Sequence, residues 1–368
     1  MGWCTTFDLD RFAAAAGGYL RSRAAENTLL LSAAQAVAGQ QQGTASPERL
    51  FGWWEPPDGG EPRGAFVHDP LVPLLISGKA PETGAALAAT LAKMGRPVCG
   101  VDAPTEVADA FAAAWSQRAG TTVRAHRNCR VYRLAGAAQG GRASSHGSGG
   151  WPLPEVPGPV GRLRCATAED GALLADWLSA FAAESAERLA SASDLAADLI
   201  SDGGAVFWEV PQRSSKLRDA AHYLPLPHHR EARPSGEPAH QPVALVTLTR
   251  PVAGTVRIAV VYTPPECRHG GYATALTLAV SRGLLTGAVP GRSQARGQGP
   301  PGRVAEVVMI TDKNRSDRWG GRLGYQLVGE RAVLRFGPVT GPIPRAHPSG
   351  AMPRLPTGPL PRLPRLRR

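Results

Sequence analysis

The chain has 368 residues, 43% of them hydrophobic, which is enough for two ordinary domains with cores of their own. Its formal charge of +11 comes mainly from arginine, which supplies 37 of the 41 basic residues. Residues 338–368 hold six arginines and no acid, and the Gly/Pro-rich stretches 136–164, 213–240 and 286–303 carry +2, +2 and +3, which leaves −2 for everything else. The rest of the chain is close to neutral, which argues against a basic groove on a rigid scaffold and against specific nucleic-acid recognition; a tail that binds polyanions non-specifically stays open.

Five scattered cysteines (Cys4, Cys99, Cys129, Cys165, Cys267) form no CxxC pair, so neither a zinc site nor a disulfide framework is indicated. No apolar run has membrane-spanning length, and no basic n-region precedes an apolar stretch, so a cytoplasmic protein with no membrane partner is expected. "MGWCTT" matches the short myristoylation pattern at Gly2 and Thr6, which is discounted.

In chain order, 7–23 and 26–39 read as helices, with a cap at Thr6 or Asp8 and a stop at Gly39. "RLFGWWE", "GAFVH" and "PLLIS" read as short strands, and "PETGAALAATLAKMG" as an amphipathic helix. "PVCGV" is a strand, 105–120 a helix and "VRAHRNCRVYRL" a long strand. Residues 1–135 thus form a mixed α/β unit, followed by a flexible linker at 136–160.

The second unit opens with a strand at 161–165, a cap near Thr167 and two helices, then the strand "GAVFWEV". Residues 212–241 are polar and aperiodic and are expected to be a disordered insertion; His222, His228, His229 and His240 fall there and read as solvated loop residues, not metal ligands. Strands follow at 243–249 and 255–262, then a helix, a second insertion at 286–303, and strands at 304–312 and 332–336. A disordered Pro/Arg-rich tail covers 338–368. The fold class expected is α/β with a mixed, α+β-like sheet.

One glycine motif has a physical context. The pattern [Gln/Arg]-x-x-Gly-x-[Gly/Ala] starts at Gln40, Arg133, Arg268 and Gln294, as expected by chance in so Gly- and Arg-rich a chain. Anion capture needs an incoming strand and an outgoing helix, whose first amides and dipole face the anion. Only Arg268 has both: "TVRIAVVYT" precedes it, and Tyr272, Ala275, Leu276, Ala279, Val280 and Leu284 follow at helical spacing.

"VVYTPPECRHGGYATAL" resembles motif A of the GNAT superfamily of acyl-CoA N-acyltransferases, and "VYTPPE" with "GYA" resembles a high-GC bacterial branch. The likeness runs from about Arg162 to Phe336. It implies a GNAT N-acetyltransferase domain at 161–337, taking acetyl-CoA as co-substrate, with no metal and with a small-molecule or peptide amine as acceptor. It implies that the backbone amides of His269, Gly270, Gly271, Tyr272, Ala273 and Thr274 hold the pyrophosphate, that Arg268 closes the turn or pairs with a phosphate, and that Val260, Val261 and Tyr262 run beside the pantetheine; Asn314 is the kept position of a downstream motif. Related proteins place a tyrosine acid where this chain has Gly320, beside Trp319. Tyr325 or a water is the expected substitute acid, and Glu266 and Glu209 are candidate bases. The missing tyrosine keeps a second reading open, a GNAT that binds CoA as a sensor or scaffold without turnover. Tandem members pair a degenerate N-terminal copy with an active one. That implies a GNAT-like or related α/β N-terminal domain without a CoA site, since "SGKAPETGAAL" lacks the motif. Trp53, Trp54, Phe66 and Trp115 there are expected to serve packing.

Overall fold

The computed structural model describes residues 2–39, 49–136, 158–185, 189, 191–212, 240–287, 304–316 and 319–338. Most of the expected insertions, the linker and the tail lies outside the described residues, as do His222, His228 and His229; His240, expected in the first insertion, instead opens a strand at His240–Leu248, where it pairs with Pro211.

The N-terminal half runs β1 (Gly2–Thr6), α1 (Leu9–Ser22), α2 (Thr28–Gly39), β2 (Leu50–Glu55), β3 (Gly64–His68), β4 (Leu74–Gly78), α3 (Pro81–Lys93), β5 (Gly100–Pro104), α4 (Thr105–Ala119) and β6 (Thr121–Ala135). The C-terminal half repeats that order. It has β7 (Arg162–Cys165), α5 (Gly171–Ser185), α6 (Ala192–Ser201), β8 (Ala205–Pro211), β9 (His240–Leu248), β10 (Thr255–Tyr262), α7 (Tyr272–Thr286), β11 (Glu306–Asp312), α8 (Lys313–Ser316), α9 (Trp319–Arg322) and β12 (Gln326–Pro338). Local signals explain most starts and stops. Asp8 caps α1 through its carboxylate, Ser191 caps α6, and Thr167 and Asp170 form a reciprocal capping box just before α5.

All twelve strands join one sheet in the order β1-β2-β3-β4-β5-β12-β6-β11-β10-β9-β8-β7. The pairs β4/β5 and β10/β11 are parallel, and the others are antiparallel. The halves exchange their last strands: β6 lies against β11, and β12 lies against β5. The boundary at residue 135 that composition suggests therefore does not separate two sheets. The β6–β12 pair, from Gln326↔Arg133 to Pro338↔Thr121, is the seam between the halves.

Register assigns the faces. Alternate residues of a strand point to opposite sides, so Ala332 and Leu334 share a side with Val101 and Ala103, and Val307 and Met309 with Leu134 and Tyr132. On that side α3 and α4 pack over the N-terminal half and α7 over the C-terminal half. On the other side α1 and α2 cover β2 and β3, and α5 and α6 cover β8 and β9. The aromatics expected to serve packing do so: Trp53, Trp54, Phe66 and Trp115 are all buried, with Trp3 edge-on to Trp54 and Phe66. Among the described residues no helix is long and apolar enough to cross a membrane, and no group of three His, Cys, Asp or Glu could hold a metal ion.

Candidate functional site

The site begins where β10 parts from β11. Their parallel pairing runs from Thr255↔Glu306 to Ile258↔Met309 and then stops, although β10 continues to Tyr262 and β11 to Asp312. On its other edge β10 carries a bulge: Ile258 faces Leu248, and Val260 already faces Thr247, so Ala259 is the extra residue. The Val260 N–H donates to Thr247 Oγ1 at 3.1 Å. A cavity of about 950 Å³ fills the wedge between the parted strands and extends over the β6–β12 seam.

The turn after β10 forms the cavity's rim. Pro264 and Pro265 end the strand, and Pro265–Cys267 makes one 3₁₀ turn. His269 then takes a positive φ of 68° and Gly271 one of 76°. That conformation is uncommon for a residue with a Cβ, so His269 stores local strain at this turn. A Cβ on Gly270 would lie 2.5 Å from the Tyr272 ring, so only glycine leaves the turn its present shape. Gly271 is the N-cap of α7 and provides no side-chain cap. The first amides of the helix therefore open toward the cavity with the dipole behind them, as anion binding requires.

Arg268 closes this turn. Its Nε donates to the Thr263 carbonyl at 3.0 Å, and its Nη2 makes contacts of 2.6 and 2.8 Å with the Glu184 carboxylate at the end of α5. Of the two roles the family likeness allowed Arg268, turn closure and phosphate pairing, this geometry is the first.

The expected cofactor residues largely converge. Val261, Tyr262, Arg268, His269, Gly271, Tyr272, Ala273 and Thr274 line the cavity. Val260 instead points into the core under α5 and α6, because the bulge puts it on the opposite face of the strand from Ile258. Gly270 shapes the turn without lining the cavity, and Asn314 is an exposed residue whose N–H is held by Asp312 Oδ1 at 2.8 Å.

The expected catalytic residues do not converge. Glu209 is buried on β8, with Arg164 Nε at 2.6 Å and Arg162 Nε at 3.2 Å. It belongs to an ion-pair cluster that ties β7 to β8 and reaches Asp170 through Arg164. Burial pushes Asp170 up, but Arg164 and the N–H and hydroxyl of Thr167 outweigh it and hold the carboxyl below the usual range. Glu266 is an exposed residue of the 3₁₀ turn and does not line the cavity. Tyr325 is buried behind α7, its hydroxyl 2.7 Å from Ser281 Oγ, and burial raises its pKa strongly. It does not line the cavity.

Several site residues carried no local signal. Trp319 lines the cavity, and its indole N–H reaches Thr274 Oγ1 at 3.3 Å. The carboxylates lining the cavity are Asp102, Glu184 and Asp312, drawn from both halves. Asp102 is bound by Arg331 at 2.8 Å and Glu184 by Arg268. Cys129, on β6, also lines the cavity, and burial pushes its thiol up to about 11. Position 129 reaches the site only because β6 crosses into the C-terminal half.

Among the solved structures that match are GNAT N-acetyltransferases. An X-ray structure of a Drosophila protein is 13% identical and aligns over 91% of this chain and 98% of its own, with a TM-score of 0.50. The likeness to that protein is one of fold. A GCN5-related N-acetyltransferase from Sphaerobacter thermophilus is 14% identical over 90% of this chain and 95% of its own, with a TM-score of 0.45. A tandem GNAT protein from the clavulanic acid biosynthesis pathway is 12% identical over 84% and 89%, with a TM-score of 0.39. No family model matches the chain, and no curated protein matches its sequence.

Proposed function

We propose that this protein is an acyl-CoA-dependent N-acyltransferase, with acetyl-CoA as donor and an amine as acceptor. The observation that carries the reading is the uncapped N-terminus of α7, set by left-handed His269 and Gly271, opening into a wedge beside a bulged strand.

The residues present fit an acyl-CoA. The amides of the first turn of α7 would hold the pyrophosphate, and Gly270, where a Cβ would meet the Tyr272 ring, keeps the turn in the shape that presents them. The unpaired edge of β10 at Val261 and Tyr262 would hydrogen-bond the pantetheine as a further strand. Bound acyl-CoA supplies a thioester, and the reaction transfers its acyl group to the amine. Ala259, released from the ladder by the bulge, offers a main-chain N–H to polarise the acyl carbonyl. Asp312, at the end of the opposing strand, takes the proton from the attacking amine. Solvent in the cavity protonates the leaving thiolate, since neither Tyr325 nor position 320 offers an acid there.

The N-terminal half does not share this chemistry. Its helix α3 begins at Pro81, which has no N–H, and the Thr83 N–H is already given to the Ala80 carbonyl. A cytoplasmic setting, with no metal, accompanies the proposal.

A second reading, CoA binding without turnover, is favoured by Gly320, which leaves no hydroxyl where relatives hold their acid. Release of free thiol from acetyl-CoA across a panel of amines separates the two. Turnover with any amine above the uncatalysed rate supports the enzyme, and binding with no release from any amine supports the sensor.

A further inference from the structure

The cavity extends well past the wedge, over the β6–β12 seam. There its floor is the sheet itself, on the side that carries α1, α2, α5 and α6, with Leu29 of α2 and Phe181 of α5 as walls. Register puts Arg127, Arg331 and Arg335 on that floor: Val333 pairs with Arg127, and Arg331 and Arg335 stand two residues either side of it. Arg257 of β10 adds a fourth guanidinium.

These arginines are not equivalent. Arg331 is buried and fully engaged, with Nε 2.8 Å from Asp102 Oδ1 and Nη2 2.9 Å from the Asp102 carbonyl. It holds the floor together. Arg335 has no hydrogen-bond or ion-pair partner among the described residues. The balance of the whole lining is positive. Five arginines, Arg127, Arg257, Arg268, Arg331 and Arg335, line it against three carboxylates, Asp102, Glu184 and Asp312. A partly enclosed cavity of one sign concentrates the opposite ion, and guanidinium forks match carboxylate and phosphate oxygens in pairs.

This charge stands apart from the pyrophosphate end. The helix α7 packs on the opposite side of the sheet, and the donor's phosphates belong at its N-terminus. What reaches the seam is the molecule entering from the other face. We infer that the acceptor is an amine that also carries an oxyanion, a carboxylate or a phosphate, held by Arg335 and Arg127 while the amine points toward the wedge. This deepens the acyltransferase reading and rests on it for the acceptor's role, but the anion site itself does not depend on it. It also gives the strand exchange a use, because Arg127 comes from the N-terminal half and Arg335 from the far end of the C-terminal half.

The test uses the full chain and matched pairs of probes. Glutamate, phenylalanine and glycylglycine are each set against their C-terminal amides, and phosphoethanolamine against ethanolamine. Melting temperature is read without acetyl-CoA, and thiol release with it. At least one oxyanion-bearing probe should raise the melting temperature by roughly 2 °C or more at saturation, and its neutral partner should not. Response in the carboxylate arm identifies an amino acid or peptide, and response in the phosphate arm a phosphorylated amine. Arg335→Gln, and separately Arg127→Gln, should abolish the shift and raise the probe's KM at least ten-fold, while the Kd for acetyl-CoA stays within two-fold. Equal responses from charged and neutral partners, no response from any probe, or an undiminished shift in both variants would overturn the proposal. If acetyl-CoA fails to bind while the oxyanion shift persists, the acyltransferase reading fails and the anion site stands.

Discussion

A Cβ placed on Gly320 would lie 2.7 Å from the ring of Tyr132, which reaches α9 from the exchanged strand β6. The position where relatives hold a tyrosine acid is therefore filled from the other half of the molecule. Tyr132 is itself buried among the residues under α7 and does not line the cavity. Restoring the family residue should not restore the acid. Gly320→Tyr is expected to lose stability by overpacking, about 1–3 kcal/mol or more, with no gain in thiol release; denaturant titration together with a turnover assay checks both.

Tyr325→Phe should leave the turnover rate within about two-fold of the parent, since the hydroxyl serves Ser281 and not the cavity. Ser281 keeps its own bond to the Thr277 carbonyl at 2.6 Å, so the stability loss should stay near 0.5–1.5 kcal/mol. A rate that falls a hundred-fold would return Tyr325 to the catalytic role.

Asp312→Asn keeps an oxygen for the Asn314 N–H but removes the proposed base. Turnover should fall by roughly 10²–10⁴ with acetyl-CoA affinity nearly unchanged. Stopped assays at saturating donor and calorimetry on the same preparation separate these effects.

Asp170 links stability to pH. Its folded pKa lies below its unfolded value, so its contribution is complete above the unfolded pKa and is lost as pH falls through the folded one. Melting temperature should therefore decline from about pH 4 downward, and Asp170→Asn should flatten that decline while lowering stability at neutral pH. A parallel acid limb in parent and variant would contradict the assignment.

The strand exchange predicts that the halves do not separate. A fragment of residues 158–338 would leave β11 and β12 without β6 between them, and β12 without β5 as well. Unpaired edges of that length invite association. Gel filtration should find the fragment aggregated, and it should become soluble when co-expressed with residues 1–136.

Much of this was legible in the sequence. Helical spacing placed α1, α3, α4, α5 and α7, and the cap near Thr167 marked the start of the segment that leads into α5. The motif at Arg268 stood out from its three chance copies because a strand entered it and a helix left it, and that physical setting recurs in the structure. β1 was missed because five residues ending a chain carry little period, and its identity comes from pairing with Leu50–Glu55. The exchange of β6 and β12 has no local signature, since a strand's alternation fixes its faces and not its neighbour. For the same reason Tyr132, Cys129, Arg127 and Arg335 were invisible as site residues: each reaches the site through a partner strand remote in sequence. Glu209 misled because a carboxylate on a central strand suggests chemistry, whereas Arg162 and Arg164 on the next strand satisfy it.

The central claim is that the turn from Arg268 to Thr274 is a cradle for the pyrophosphate of an acyl-CoA. Calorimetry with acetyl-CoA on the full chain and on Gly271→Arg tests it most directly, because Gly271 sits at φ 76° and caps the open helix end. The parent should bind with a Kd of roughly 1–100 μM, and the variant should show no binding at millimolar acetyl-CoA while keeping the parent's circular dichroism. A parent that gives no heat at millimolar cofactor, or a folded variant with unchanged affinity, would contradict the account.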